Sequence, residues 1–334
     1  MRATRLLGLL LAALLGATLL SAPAGAATDP RKDKTRLPRV CASSAEEVPR
    51  KDVICKLTPF QENRPTLMLW GDSHVWMQIP GFLKAAKGRN VNVITSLMGS
   101  CPPMDPGLSW KNRYQLGMCG ASNALATRTM QQLANGPQDF KLVLAGNWEM
   151  YERLLVRVNK RRPPGPGKSY PYAQTKIFKH GGPRLFRKLG QLGVDVDVIH
   201  QVARAPAKGK PCKRMDPYAC NFPRHQAFRQ ESVTKRWLVR TTSPAHPTRM
   251  VDVNRHLCGS GTCFAKVSGD WTYHDNSHLT ASMARQLWQY YAPSVSDVVP
   301  GMVATLPGSS GSGGGGGDGV AAEPDQPCAV PLFC

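Results

Sequence analysis

The sequence is short of acids. Twenty-two aspartates and glutamates stand against 43 lysines and arginines, a formal net charge of +21 over 334 residues. It also lacks any recognisable nucleic-acid module, so the basic excess is not assigned to DNA or RNA. In an exported chain it suits an anionic glycan, an anionic lipid or cell wall, or a solvated basic surface. No stretch after residue 26 is apolar enough to cross a bilayer, which excludes a later membrane span. No CxxC pair occurs and the cysteines are scattered, which argues against a zinc framework. No internal repeat is found, so a repeat array is excluded.

What is present begins with a leader. Arg2 and Arg5 precede a nearly unbroken apolar run from Leu6 to Leu20, and Ala24-Gly25-Ala26 offers a cleavage site. Residues 1–26 read as a secretory signal peptide. Ten cysteines fit an exported protein. They fall in near pairs: Cys41 with Cys55, Cys101 with Cys119, Cys212 with Cys220, Cys258 with Cys263, and Cys328 with Cys334. Five local disulfides are expected, although spacing alone does not fix connectivity.

Residues 27–62 are polar and rich in Pro and Lys, and read as an N-terminal extension. Alternation then begins. Strands are expected at 66–70 (TLMLW), 91–95 (VNVIT), 141–145 (KLVLA), 194–200 (VDVDVIH) and 250–254 (MVDVN). Helical periodicity fills the intervals at 75–87, 122–134, 184–192, 225–240 and 281–292. Pro80 predicts a kink or break in the first helix, and Thr280 a cap on the last. Strand alternating with helix implies parallel strands joined by crossovers. The expected fold is α/β: a three-layer α/β/α sandwich, flavodoxin-like, with a mainly parallel five-stranded sheet over residues 63–295. Two basic loops, 159–172 and 203–222, interrupt it. A Gly-rich flexible tail holding the last cysteine pair occupies 296–334.

Ser73, in "LMLWGDSHVW", lies between the first strand and the first helix. In such sheets sites form at the carboxyl ends of strands, and free N–H groups at a helix start favour negative charge. A serine hydroxyl is a weak nucleophile until a base takes its proton. "YHDNSHLT" at 273–280 supplies a histidine with a carboxylate three residues before it. Asp275 can hold Nδ1 of His278 and leave Nε2 for the serine. Helix capping and turn formation would explain the same pair without chemistry. His274 and His278 stand four apart, but they precede their helix and have no third ligand nearby, so no metal is expected. No cofactor is expected either.

GDSH at 71–74 with DNSH at 275–278 resembles the SGNH (GDSL-like) hydrolase superfamily. It is most similar to SGNH domains attached to or partnered with membrane acyltransferases of bacterial envelopes. SCPPM (100–104) and VLAGNWEMY (143–151) support the likeness. The resemblance implies Ser73 as nucleophile, His278 as base and Asp275 as orienting acid. It also implies an oxyanion hole from the Ser73 N–H, the Gly99 N–H and the Asn147 side chain. Ser100 is a rival to Gly99, and alanine at 145 departs from the usual Gly-x-Asn. His74, Trp148 and Tyr151 are candidate substrate contacts. Asp72 is expected to brace its turn.

The function expected from this is O-acyl transfer, acetyl foremost, to an envelope or extracellular polysaccharide. A separate membrane partner or an extracytoplasmic donor would supply the acyl group. An esterase of the same family and a non-catalytic glycan-binding module are the alternatives. A periplasmic or extracellular location is expected, and no nucleic-acid partner.

Overall fold

The computed structural model describes residues 29–105, 114–148, 182–205, 220–227 and 248–299. The leader, Cys212, Tyr151, the 159–172 loop, most of the 203–222 loop, most of the 225–240 helix and the tail from 300 onward lie outside the described residues.

Strand β1 (Ile54–Lys56) comes first, followed by β2 (Thr66–Gly71). Two short helices follow, α1 (Ser73–Trp76) and α2 (Ile79–Ala86), then β3 (Asn92–Leu97). Next are α3 (Tyr114–Ala134), β4 (Phe140–Ala145), α4 (Gly182–Gln191) and β5 (Asp195–Ile199). The later elements are β6 (Phe222–Pro223), α5 (Arg224–Ala227), β7 (Arg249–Val251) and α6 (Asn254–Leu257). Short strands β8 (Thr262–Cys263), β9 (Lys266–Val267) and β10 (Asp270–Trp271) lead to α7 (Ala281–Gln286) and α8 (Trp288–Ser296).

The main sheet has six strands in the order β1-β3-β2-β4-β5-β7. Its five parallel members are the five expected, in the flavodoxin-like order 2-1-3-4-5 when numbered among themselves. The sixth, β1, is antiparallel to β3 and comes from the stretch read as an extension. Three residues give alternation too little length to register. The Cys41–Cys55 disulfide ties β1 to the preceding loop, and Leu37, Cys41 and Cys55 are buried in the core.

Strict alternation along β2 divides its side chains between two cores. Leu67 and Leu69 face one, Met68 and Trp70 the other, each at most 1% exposed. Burial of each such side chain contributes roughly 1.5–3 kcal/mol. Helices α2, α7 and α8 fill the first core with Phe82, Met283 and Tyr291; the Phe82 and Tyr291 rings stack with centroids 4.3 Å apart. Helices α3 and α4 fill the second with Met130, Leu185, Phe186 and Leu189. Three layers follow. A Cβ on Gly81 would strike the Ala284 carbonyl and the Tyr291 ring, so the close approach of α2 to α7 and α8 requires glycine there.

Helix boundaries depart from expectation at α3, which begins at Tyr114 rather than 122, and two segments are interrupted, the first at the break expected near Pro80. The first helical segment breaks at Met77 and Gln78, leaving Pro80 in the opening turn of α2, where proline lacks no needed N–H. The last breaks at Leu287, whose ψ of 3° separates α7 from α8. The Thr280 cap is present: its Oγ1 accepts from Met283 N at 3.1 Å.

The disulfides Cys41–Cys55, Cys101–Cys119 and Cys258–Cys263 match the near-pair reading. Cys220 is disulfide-bonded as well. Among the described residues no helix is long and apolar enough to cross a membrane.

Candidate active site

Parallel pairing puts the carboxyl ends of β2, β3 and β4 side by side, with Gly71 opposite both Leu97 and Ala145. A Cβ on Gly71 would collide with the Ala145 carbonyl oxygen, so the chain needs glycine to leave β2 this close to β4. Asp72 caps the short helix that follows. Its Oδ1 accepts from His74 N at 2.7 Å and its Oδ2 from Asn147 N at 3.0 Å. Asp72 is 1% exposed, so this carboxylate clamps the Ser73 turn to the end of β4, as its bracing role requires.

The segment 272–280 approaches Ser73 from the other end of the chain. It is pinned by Thr280 N to Thr272 O at 3.1 Å, by His274 N to His278 O at 3.0 Å, and by Leu279 N against the Met77 sulfur at 3.3 Å. Within it, Asp275 Oδ1 accepts the backbone N–H groups of Ser277 (2.7 Å) and His278 (2.8 Å). Its Oδ2 lies 2.7 Å from His278 Nδ1, and His278 Nε2 lies 2.8 Å from Ser73 Oγ. Fold and sequence thus bring Ser73, His278 and Asp275 into one continuous bonded path.

Three rings surround His278. His274 stacks on it at 5.6 Å and 9°, His74 tilts against it at 5.4 Å, and Trp76 presents an edge at 6.2 Å. Burial depresses both flanking histidines. His74 lies well below the usual imidazole range, chiefly through burial and secondarily through the neighbouring His278 and Arg204. His274 is lowered to about 4, again chiefly by burial. Burial also pushes the Asp275 carboxyl upward, but its bond to His278, the imidazole charge and the Ser277 N–H outweigh that and hold it below the ordinary carboxylate range. The arrangement keeps one carboxylate charged and two of three imidazoles neutral. Such a site can take a hydroxyl proton at a single nitrogen while Asp275 balances the charge that forms.

Several expected residues take other places. The Gly99 N–H is already donated to the Pro49 carbonyl at 3.0 Å. The adjacent Ser100 lies in the left-handed region at φ 62°. Asn147 Oδ1 accepts from an Arg204 guanidinium nitrogen at 3.4 Å. His74 and Trp148, candidate substrate contacts for which a structural role is the alternative, are both buried, at 1% and 2% exposure. The Trp148 indole N–H donates to the Ile199 carbonyl at 2.9 Å and its ring packs in the second core. His74 backs the His278 imidazole instead. Sequence reasoning missed Arg204, which has no spacing signal, and read the four-residue spacing of His274 and His278 only as a possible metal pair, not as a ring stack.

His274, Asp275 and His278 each offer a ligand atom within 4.8 Å of the others. The third group thought absent beside the two histidines is therefore Asp275. Both His278 nitrogens already face partners, so a metal there would displace Ser73 or Asp275 from the imidazole.

The strand order defines an α/β domain in which a serine at the end of β2, a histidine before the last helices and an aspartate are joined by hydrogen bonds. The family model described as "SGNH domain (fused to AT3 domains)" matches residues 40–293, and the chain belongs to that family. Among solved structures the chain is similar to a lipopolysaccharide acetyltransferase periplasmic domain from Salmonella ser. Paratyphi A. Identity is 12% and the TM-score 0.41, covering 70% of this chain and 85% of that one. A putative arylesterase from Agrobacterium tumefaciens str. C58 is 13% identical with a TM-score of 0.36, covering 70% of this chain and all of the other. No curated protein matches the chain.

Proposed function

We propose that this chain is an exported serine-dependent O-acyltransferase that moves an acyl group, acetyl foremost, to a hydroxyl of an envelope or extracellular polysaccharide. The observation that carries the reading is the bonded path from Ser73 Oγ through His278 to Asp275, with links of 2.8 and 2.7 Å. In the first half-reaction, Ser73 Oγ attacks the acyl carbonyl carbon while His278 Nε2 accepts its proton. The tetrahedral oxyanion collapses, and Nε2–H protonates the departing oxygen of the donor. An acyl-serine remains. In the second half, an acceptor hydroxyl gives its proton to Nε2 and attacks that ester. The bond to Oγ breaks and the proton returns to Ser73.

The oxyanion donors in this reading are the Ser73 N–H, which stands at the first helical position without an intrahelical acceptor, and the Asn147 side-chain amide. The Arg204 contact on Asn147 Oδ1 supports the amide assignment, since it turns the NH2 end away from Arg204. With the Gly99 N–H bonded to Pro49, the Ser100 N–H is the third donor.

The family description, a domain fused to AT3 domains, supports a membrane acyltransferase as the source of the acyl group. Three disulfides among the described residues support export. A second reading is esterase action. His278 is 20% exposed on its side chain and Ser73 is half-buried, so water can reach the acyl-serine.

Two measurements test this. Mass spectrometry after exposure to a serine-reactive phosphonate should place the adduct on Ser73, and an adduct on another serine removes the mechanism. Incubation with an activated acetyl ester and candidate glycans should yield acetylated glycan. Free acetate alone supports the esterase instead. No turnover, with glycan retention unchanged in Ser73→Ala, supports a binding module.

A further inference from the structure

Away from the triad, the N-terminal segment, α2 and α7 line an open groove of about 900 Å³. Its described lining carries eight lysines and arginines and one carboxylate, Asp33. One end lies close to the triad's loop. Ala281 lines the cavity three residues after His278, and Asp33 fastens the N-terminal segment there by accepting from Ser282 N at 3.1 Å. The other end reaches Arg64 and Arg89, just before β2 and β3 begin. Since the strands are parallel, the cavity runs from the triad's rim along α2 to the opposite rim.

Lys34 and Lys87 form no ion pair among the described residues, and Arg64 Nε is buried without a hydrogen-bond acceptor. Between these cations the floor is apolar, from Ile79, Pro80, Leu83 and Ala86. An apolar bed flanked by cations suits a chain of sugar rings, whose C–H faces pack on the apolar floor while anionic substituents meet the cations. The groove is open to solvent along its length, and its volume falls in the range of ligand-binding clefts. The site is concave, and Val40 is the single strongly exposed large apolar residue among those described, which disfavours a flat bilayer as occupant.

We propose that this groove binds a segment of anionic polysaccharide whose neighbouring hydroxyl is presented to Ser73. The identity of that polysaccharide as acyl acceptor rests on the acyl-transfer reading, whereas its binding does not.

The test uses the mature full chain, a polygalacturonate oligosaccharide as probe, and isothermal titration at low and high salt. Lys84 and Lys87 are exposed on the groove wall, and neither is bonded to Ser73, Asp275 or His278. The charge reversal Lys84→Glu with Lys87→Glu should weaken binding about tenfold or more and flatten its salt dependence. The neutral pair Lys84→Gln with Lys87→Gln should weaken it less. Turnover of a small activated acetyl ester should be unchanged in both. A matched reversal on the opposite helical layer, Arg128→Glu with Arg187→Glu, should leave binding near wild type. Equal probe affinity in wild type and the groove variant overturns the proposal, as does an equal loss in the control. Loss of binding to phosphatidylglycerol vesicles with retained binding of the oligosaccharide also overturns it, in favour of a membrane contact. If wild type binds the probe in the groove but turns over no ester, the groove stands and the acyl-transfer reading falls.

Discussion

Asp197 and Asp275 are both drawn in by the fold and used in opposite ways. Asp197 has no exposed side-chain surface. It meets Lys141 Nζ at 3.2 Å, an Arg249 nitrogen at 2.5 Å and the Ser294 hydroxyl at 2.6 Å. Asp297 from the end of α8 joins the same two cations, at 2.5 and 2.9 Å. Two carboxylates and two cations thus balance, tying β4, β5 and β7 to the last helix. Asp275 is 43% exposed, and its partners are an imidazole, two backbone N–H groups and the Ser277 hydroxyl. Around it, His74 keeps both ring nitrogens and His274 one nitrogen buried without a hydrogen-bond partner. The first cluster spends its charges on each other. The second leaves neutral imidazole nitrogens unbonded beside His278, the proposed base, whereas the unbonded atoms of the first, Asp197 Oδ1 and Arg249 Nε, belong to groups already held in ion pairs.

Substitutions should separate the two clusters. The largest effect belongs to the triad. Ser73→Ala or His278→Ala should lower turnover of an activated ester by roughly 10⁴-fold or more, because the base and nucleophile act as a unit. Urea midpoints should stay near wild type. If either variant lost stability rather than turnover, the contrast with Asp197 would collapse. Asp197→Ala should do the reverse. Removing one partner of a buried ion cluster strands the others, at a cost of about 3–5 kcal/mol in urea denaturation. The protein that remains folded should keep its kcat. A large kcat loss in the folded fraction would mean the network reaches the site.

The two clusters were unequally legible in the sequence. GDSH and YHDNSHLT are local blocks whose spacing carries chemistry, so Ser73, Asp275 and His278 could be named before any fold was drawn. Period two at VDVDVIH marked β5, but period cannot say that Asp197 meets Lys141 and Arg249, which are 56 and 52 residues away in the chain. The same limit hid β1, which is defined by pairing to β3 and by a disulfide rather than by alternation. The inward packing of Trp148 was hidden for a related reason. Its position after β4 was legible, but the Ile199 carbonyl that draws its indole inward lies on another strand. Gly99 likewise reads as a free donor until the Pro49 carbonyl, from the N-terminal segment, is placed against it.

The smallest predicted effect concerns the unpaired imidazoles and sharpens the comparison by pH. His274 titrates at about 4 in the folded protein, mainly through burial, with Asp275 and Asp33 opposing and His278 and Lys34 reinforcing the shift. An unfolded histidine titrates near ~6.5. Between those values the unfolded chain binds a proton that the folded chain refuses, so stability rises with pH across that window. It is fully present above ~6.5, falls as pH drops toward 4, and levels off below. Allowing for partial exposure, His274 contributes on the order of 2 kcal/mol to the fall. His74 adds to it with the same sign. Asp275, held below the ordinary carboxylate range, adds its own loss only in more acidic solution, below the window of the histidines. Urea midpoints at about pH 7.5 and pH 5 should therefore differ in wild type, and differ less in His274→Asn. Equal pH slopes in the two proteins would show that His274 is not kept neutral by burial, and that the unpaired nitrogens beside the triad are solvated like any surface group.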